Sequence, residues 1–274
     1  MTTPAVEDSA TQPANTPFAK LHVQWMVLWV VIGPFGIVLV TRTSFATART
    51  VFYAVITLWI ALQWRKFRDH SFNPLALGSG TAVQRGALLG LCMAPAVGAL
   101  HVIYLLLTHA IPPLRSFQSA QASASQWTIA WIIIVIVAPI VEELLFRGII
   151  LNRWRFLFGP RTGFWLTAVL FALFHGRSFF LVLPLAVLLG HLYLRSGDLW
   201  SAIAAHAVNN AIATAWTEWG WPVAVGYLGS TSMVRSVAWC LVPLGFGMTG
   251  LIATLRSLGA AASNNVILAA EAAD

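Results

Sequence analysis

The chain alternates long apolar runs with short polar breaks, and the runs have the length of membrane-crossing helices rather than the strict alternation of half-buried strands. Eight runs stand out, at about 22–40, 51–64, 86–111, 127–158, 162–175, 179–194, 199–216 and 236–255. The pattern predicts an all-α, polytopic membrane bundle of about eight transmembrane helices within residues 20–258. A disordered tail is expected at 1–19 and a flexible one at 259–274.

The breaks carry helix punctuation. Pro112-Pro113 ends the third run, Gly159-Pro160 ends the fourth, and Asp198 stands where an N-cap of the seventh belongs. Gly86 and Gly90, four apart, form a small-residue stripe that lets two helices approach closely. Pro139, inside the fourth run, cannot donate to the carbonyl of Val135, so a bend is expected there. No internal repeat and no matched pair of broken helices is visible.

Composition reinforces the pattern. Of 274 residues, 58% are hydrophobic and 9% charged, against about 25% charge in an ordinary soluble domain. Residues 1–19 lack the basic segment and apolar core of a cleavable signal, so the first run is expected to be retained. Thirteen tryptophans suit a bilayer protein, and Trp25, Trp64, Trp127, Trp200, Trp216 and Trp219 lie near run ends as interfacial anchors. Cys92 and Cys240 lie within apolar runs, as small packing residues with no disulfide or zinc-finger spacing.

The net charge of +7 comes from basic residues clustered between runs, which fits positive-inside anchoring and excludes a nucleic-acid-binding face. With eight spans both termini share one side. That side holds ten of the fifteen basic residues other than Arg147, which places both termini in the cytoplasm.

Against this background Ala138-Pro-Ile-Val-Glu-Glu-Leu-Leu-Phe-Arg-Gly148 is the anomaly: two carboxylates and an arginine within an apolar run. Intramembrane charge is costly and marks function. Glu143 and Arg147 stand four apart on one helix face, acid first, and should pair. Glu142 points about 100° away and has no cation on its own helix. His175 closes the fifth run and His206 lies inside the seventh, with Asn210 four residues on along the same face and Asn209 three on as its competitor. Phe171 shares a face with His175 and can pack on its ring. Each histidine alone reads as a packing residue; the set reads as a site.

No Ser or Cys is placed as a nucleophile, so an activated water is the simplest attacking group. Gly176-Arg-Ser178 lacks the glycine after serine of a rhomboid-like protease, Gly197-Asp198 lacks the first glycine of a presenilin-like one, and no His-Glu-x-x-His occurs. His22, His70, His101 and His109 take ordinary interfacial, loop or packing readings; His191, between the two motif helices, is the remaining candidate to line the site.

Glu142-Glu143-x-x-x-Arg147, Phe171-x-x-x-His175 and His206-x-x-x-Asn210, in that order on successive spans, resemble the CAAX protease and bacteriocin-processing (CPBP or Abi) family of intramembrane proteases, similar to type II CAAX prenyl endopeptidases. The approach Leu194-Arg-Ser-Gly-Asp-Leu-Trp200 also looks like the family's. The family-like catalytic core covers about 127–216. The resemblance implies that Glu142, with His175, deprotonates a water for attack on a peptide carbonyl, and that His206 and Asn210 donate to the oxyanion. It gives Glu143 and Arg147 a bracing role. A metal-free mechanism is favoured; in the alternative, Glu142, His175 and His206 would ligate Zn²⁺.

The resulting expectation is an intramembrane endopeptidase of a bacterial cytoplasmic membrane, whose partners are lipid and a peptide or protein substrate entering from the membrane or the cytoplasmic face. Competing readings are a non-catalytic membrane interaction or bacteriocin-immunity protein and a proton- or ion-coupled transporter. One geometric condition follows from a rise of about 1.5 Å per residue: His206 lies about 9 Å along its helix from Trp200, whereas His175 lies about 21 Å from Arg161. The two can meet only if helices project beyond the membrane or tilt.

Overall fold

The computed structural model describes residues 51–60, 80–109 and 131–215, with isolated positions at 62, 129, 241, 242, 245, 249, 252, 253 and 256. The side chains of 101–109 are not among them. Regular structure among the described residues is all helical: α1 (Val51–Ile60), α2 (Gly80–His109), α3 (Ala138–Glu143), α4 (Asn152–Phe158), α5 (Pro160–Phe174), α6 (Phe179–Ser196) and α7 (Leu199–Ala215). A wide-turn π segment at Ile133–Val137 leads into α3 and a second at Leu144–Leu151 joins α3 to α4, making one continuous helical rod that stops at Gly159.

The all-α expectation is met; the count of eight spans is not. Among the described residues two helices are long and apolar enough to cross a membrane, Gly80–Leu100 and Phe179–Ser196, and two shorter apolar helices are Val51–Ile60 and Pro160–Phe174. The fifth expected span is only 15 residues, because Pro160 fixes its start and the chain turns at His175. The fourth runs through two changes of helical register rather than as one α-helix. The first run, nearly all of the eighth, the basic loop from Arg65, the 112–126 loop, Cys240 and both tails lie outside the described residues.

Local chemistry explains the connections. Gly159 adopts φ +84°, a conformation that a side chain disfavours, and Pro160 then starts α5 without wasting an amide hydrogen. The rod and α5 thus form a hairpin. Counting about 1.5 Å per residue, Glu142 stands about 24 Å and His175 about 22 Å from its elbow, which puts them at one level. Gly197, at φ +65°, ends α6 with its N–H on the Tyr193 carbonyl at 2.9 Å. Asp198 caps α7, accepting the Trp200 N–H at 2.8 Å as expected.

Small residues set the crossings. A side-chain carbon on Gly86 would lie 2.1 Å from the Ser201 carbonyl oxygen, and one on Gly90 2.6 Å from that of Ala205, so the glycine stripe brings α2 against α7. Gly163 meets the Trp154 backbone in the same way.

The core joins the inner faces of α1, the rod, α5, α6 and α7, including Tyr53, Leu145, Phe146, Phe171, Tyr193 and Ile203. Outer faces stay apolar as well. Val51, Val55 and Leu58 on α1, and Trp165, Val169 and Leu173 on α5, are exposed at helical spacing. Helices apolar on both faces suit a lipid surround.

Candidate active site

The seven site residues expected from the sequence come from three elements. The rod supplies Glu142, Glu143 and Arg147, α5 with its C-terminal residue supplies Phe171 and His175, and α7 supplies His206 and Asn210. Glu142, Glu143, Arg147 and His206 are all buried, at 2%, 0%, 2% and 1% exposure, so their charges and dipoles must be satisfied within the protein.

The expected Glu143–Arg147 pair is present at 2.9 Å. The guanidinium also donates to the Ala186 carbonyl of α6 at 3.0 Å and lies 4.2 Å from the Phe171 ring centroid. Arg147 therefore ties the rod to α5 and α6, and a buried charge is compensated by ion pair, hydrogen bond and ring face together. Phe171 has a second duty. Its ring lies 4.7 Å from the His175 ring, and its carbonyl accepts from His175 Nδ1 at 2.8 Å.

That last bond fixes a tautomer. A carbonyl only accepts, so Nδ1 carries the proton and Nε2 of the neutral ring carries the lone pair. His175 Nε2 faces Glu142 Oε2 at 3.6 Å. The same logic applies across the site: Glu143 Oε1, ion-paired with Arg147, accepts from His206 Nδ1 at 2.8 Å, which leaves Nε2 turned toward Glu142 Oε2 at 3.8 Å. Two imidazole Nε2 atoms thus converge on one carboxylate oxygen, as the sequence condition on helix depth required.

Glu143 is more than the brace expected of it. One oxygen serves both Arg147 and His206, so it orients an imidazole on another helix. Sequence spacing found the first partner, on the same helix, and had no means to find the second.

Asn210 is placed differently from the expected oxyanion donor. Its Nδ2 donates to the carbonyl of Ile134 at 3.0 Å. Ala138 N–H reaches back five residues to Ile133, so in the same register the next donor, at 139, would serve Ile134. Position 139 is proline and has no N–H. Asn210 fills that gap. Asn209 is buried, and its Nδ2 lies 3.5 Å from Asn210 Oδ1.

Sequence reasoning missed Tyr53. It is buried on α1, and its hydroxyl donates to Glu142 Oε1. A tyrosine in an apolar helix carries no mark of such a role. His191 is exposed, packs edge-on against Phe164 and directs Nδ1 at the Val187 carbonyl, away from the site residues.

Residues 124–212 match the family model described as type II CAAX prenyl endopeptidase Rce1-like. The matched stretch contains all three motifs. That stretch is similar to the CAAX protease family. Neither a curated protein nor a solved structure matches the chain. The family match covers about a third of the chain and supports a membrane protease of the CAAX type. Among the described residues, no group of three His, Cys, Asp or Glu side chains is placed to hold a metal ion.

Proposed function

We propose that the protein is an intramembrane endopeptidase that hydrolyses a peptide bond with a water activated by Glu142 and His175. The observation that carries this reading is the convergence of His175 Nε2 and His206 Nε2 on Glu142 Oε2, at 3.6 and 3.8 Å.

Hydrogen bonds to oxygen span about 2.8 Å, so a single water can touch Glu142 Oε2 and the lone pair of His175 Nε2 together. As the water oxygen bonds to the substrate carbonyl carbon, its proton passes to Glu142. The carbonyl π electrons move to the oxygen. His206, whose Nδ1 is held by Glu143, presents Nε2 where that oxyanion forms and donates to it when this nitrogen carries a proton. Asn210 has two amide hydrogens; one holds Ile134, and the other is the remaining candidate donor. Collapse of the intermediate breaks the C–N bond, and Glu142 returns its proton to the leaving amine.

The substrate class suggested by the family's description is a protein ending in a prenylated CAAX sequence, reaching the site from the membrane or cytoplasmic face. We place the protein in a bacterial cytoplasmic membrane, where the short basic segments between apolar runs fit positive-inside anchoring.

The test is a comparison of membrane proteomes from cells carrying the wild type or Glu142→Ala. Fragments present with the wild type and missing with the variant, at equal levels of inserted protein, are expected; identical fragment sets would refute an endopeptidase built on Glu142.

A further inference from the structure

We infer that Tyr53, on α1 and about 70 residues before the family-matched stretch, is a positioning residue that holds Glu142 in its reactive orientation; this rests on the proteolytic reading above. A glutamate has a soft terminal torsion, with a broad, roughly two-fold distribution. Left alone, its two oxygens exchange places. Here they are distinguished: Oε1 accepts the Tyr53 hydroxyl from one side, and Oε2 faces His175 and His206 on the other.

The hydroxyl is itself held in place. Tyr53 is 4% exposed, with its ring 6.5 Å from that of Phe52 and 6.4 Å, edge-on, from that of Phe174, the residue before His175. Phe52, Tyr53, Ile56 and Ile60 form one buried face of α1 and belong to the same core as Val141, Leu145 and Phe174. This helix is a wall of the site. A phenol that stays protonated keeps its bond to Oε1 while Oε2 gains and returns the water's proton, so the basic oxygen is the one that meets water.

The experiment uses full-length protein in liposomes, as wild type, Tyr53→Phe, Glu142→Gln and Glu142→Gln/Tyr53→Phe. Tyr53→Phe keeps the ring and its packing. Cleavage of a farnesylated peptide ending in Cys-Val-Ile-Met is followed, and the Glu142 carboxylate band is isolated by infrared difference against Glu142→Gln in each background. The expected result is a kcat lower by about tenfold, the order of one hydrogen bond, with KM unchanged, a shifted carboxylate band and a thermal unfolding curve like the wild type.

An unmoved band, or a moved band with unchanged kcat, would overturn the positioning role. Full cleavage by Glu142→Gln would instead overturn the proteolytic reading. If the wild type leaves this peptide intact, the band decides alone: moved, the contact holds Glu142; unmoved, it does not.

Discussion

The side-chain amide of Asn210 on α7 donates to the carbonyl of Ile134 at 3.0 Å, the acceptor that Pro139 leaves without a backbone donor. A fully buried acceptor left without a donor costs about 1–3 kcal/mol, which is an upper bound for this part-buried one. Asn210→Ala should therefore lower stability by up to that amount, and the loss should shrink in Pro139→Ala, which restores an N–H near Ile134. A double-mutant cycle on unfolding free energy measures the coupling. Additive effects would mean that the clamp and the proline are independent.

Glu142 and Glu143 are neighbours with opposite expected phenotypes. Removing Glu143 strips a buried arginine of its ion partner, a loss of about 3–5 kcal/mol when one half of a buried pair is deleted, and it also releases His206. Glu143→Ala should yield poorly folded protein, scored by detergent-solution unfolding and yield of monodisperse protein. Glu142→Ala should fold. The reverse order would contradict the division of roles drawn between the two carboxylates.

The glycine contacts predict where the scaffold is least tolerant. A side chain at Gly86 collides with the Ser201 backbone, and one at Gly163 with that of Trp154. Neither backbone can yield cheaply, so Gly86→Val and Gly163→Val should lose folded protein, whereas Gly98→Ala, with open space around it, should be neutral. Thermal unfolding of the three variants is the check.

Zinc gives a further test. The mechanism proposed uses Glu142, His175 and His206 without a metal, so prolonged treatment with 1,10-phenanthroline should leave cleavage unchanged and purified active protein should carry no stoichiometric zinc. Activity lost to the chelator and restored by zinc would replace the glutamate mechanism with a metal-dependent one.

Much of this site is visible in the sequence because its signals are local. Glu143 and Arg147 pair at a spacing that any helix imposes, Pro139 marks a broken hydrogen bond wherever it falls, and Gly86 and Gly90 announce a close approach. What stayed hidden depends on contacts between helices. The partner of the proline-freed carbonyl of Ile134 is 76 residues away, on Asn210; the second partner of Glu143 is His206; and Tyr53 looks like any aromatic residue of an apolar run. Helix register was hidden for a related reason. Hydropathy sees a continuous apolar stretch at 127–158, but not the changes of register within it.

The most direct measurement is single-turnover cleavage of the farnesylated peptide by purified, liposome-reconstituted wild type and Glu142→Gln, which keeps the size of the side chain and removes its basicity. Cleavage by the wild type, with a loss of at least about 100-fold in the variant, as expected for a general base, and an unchanged unfolding profile, is the predicted result. Wild-type rates in Glu142→Gln would contradict the central role given to this carboxylate.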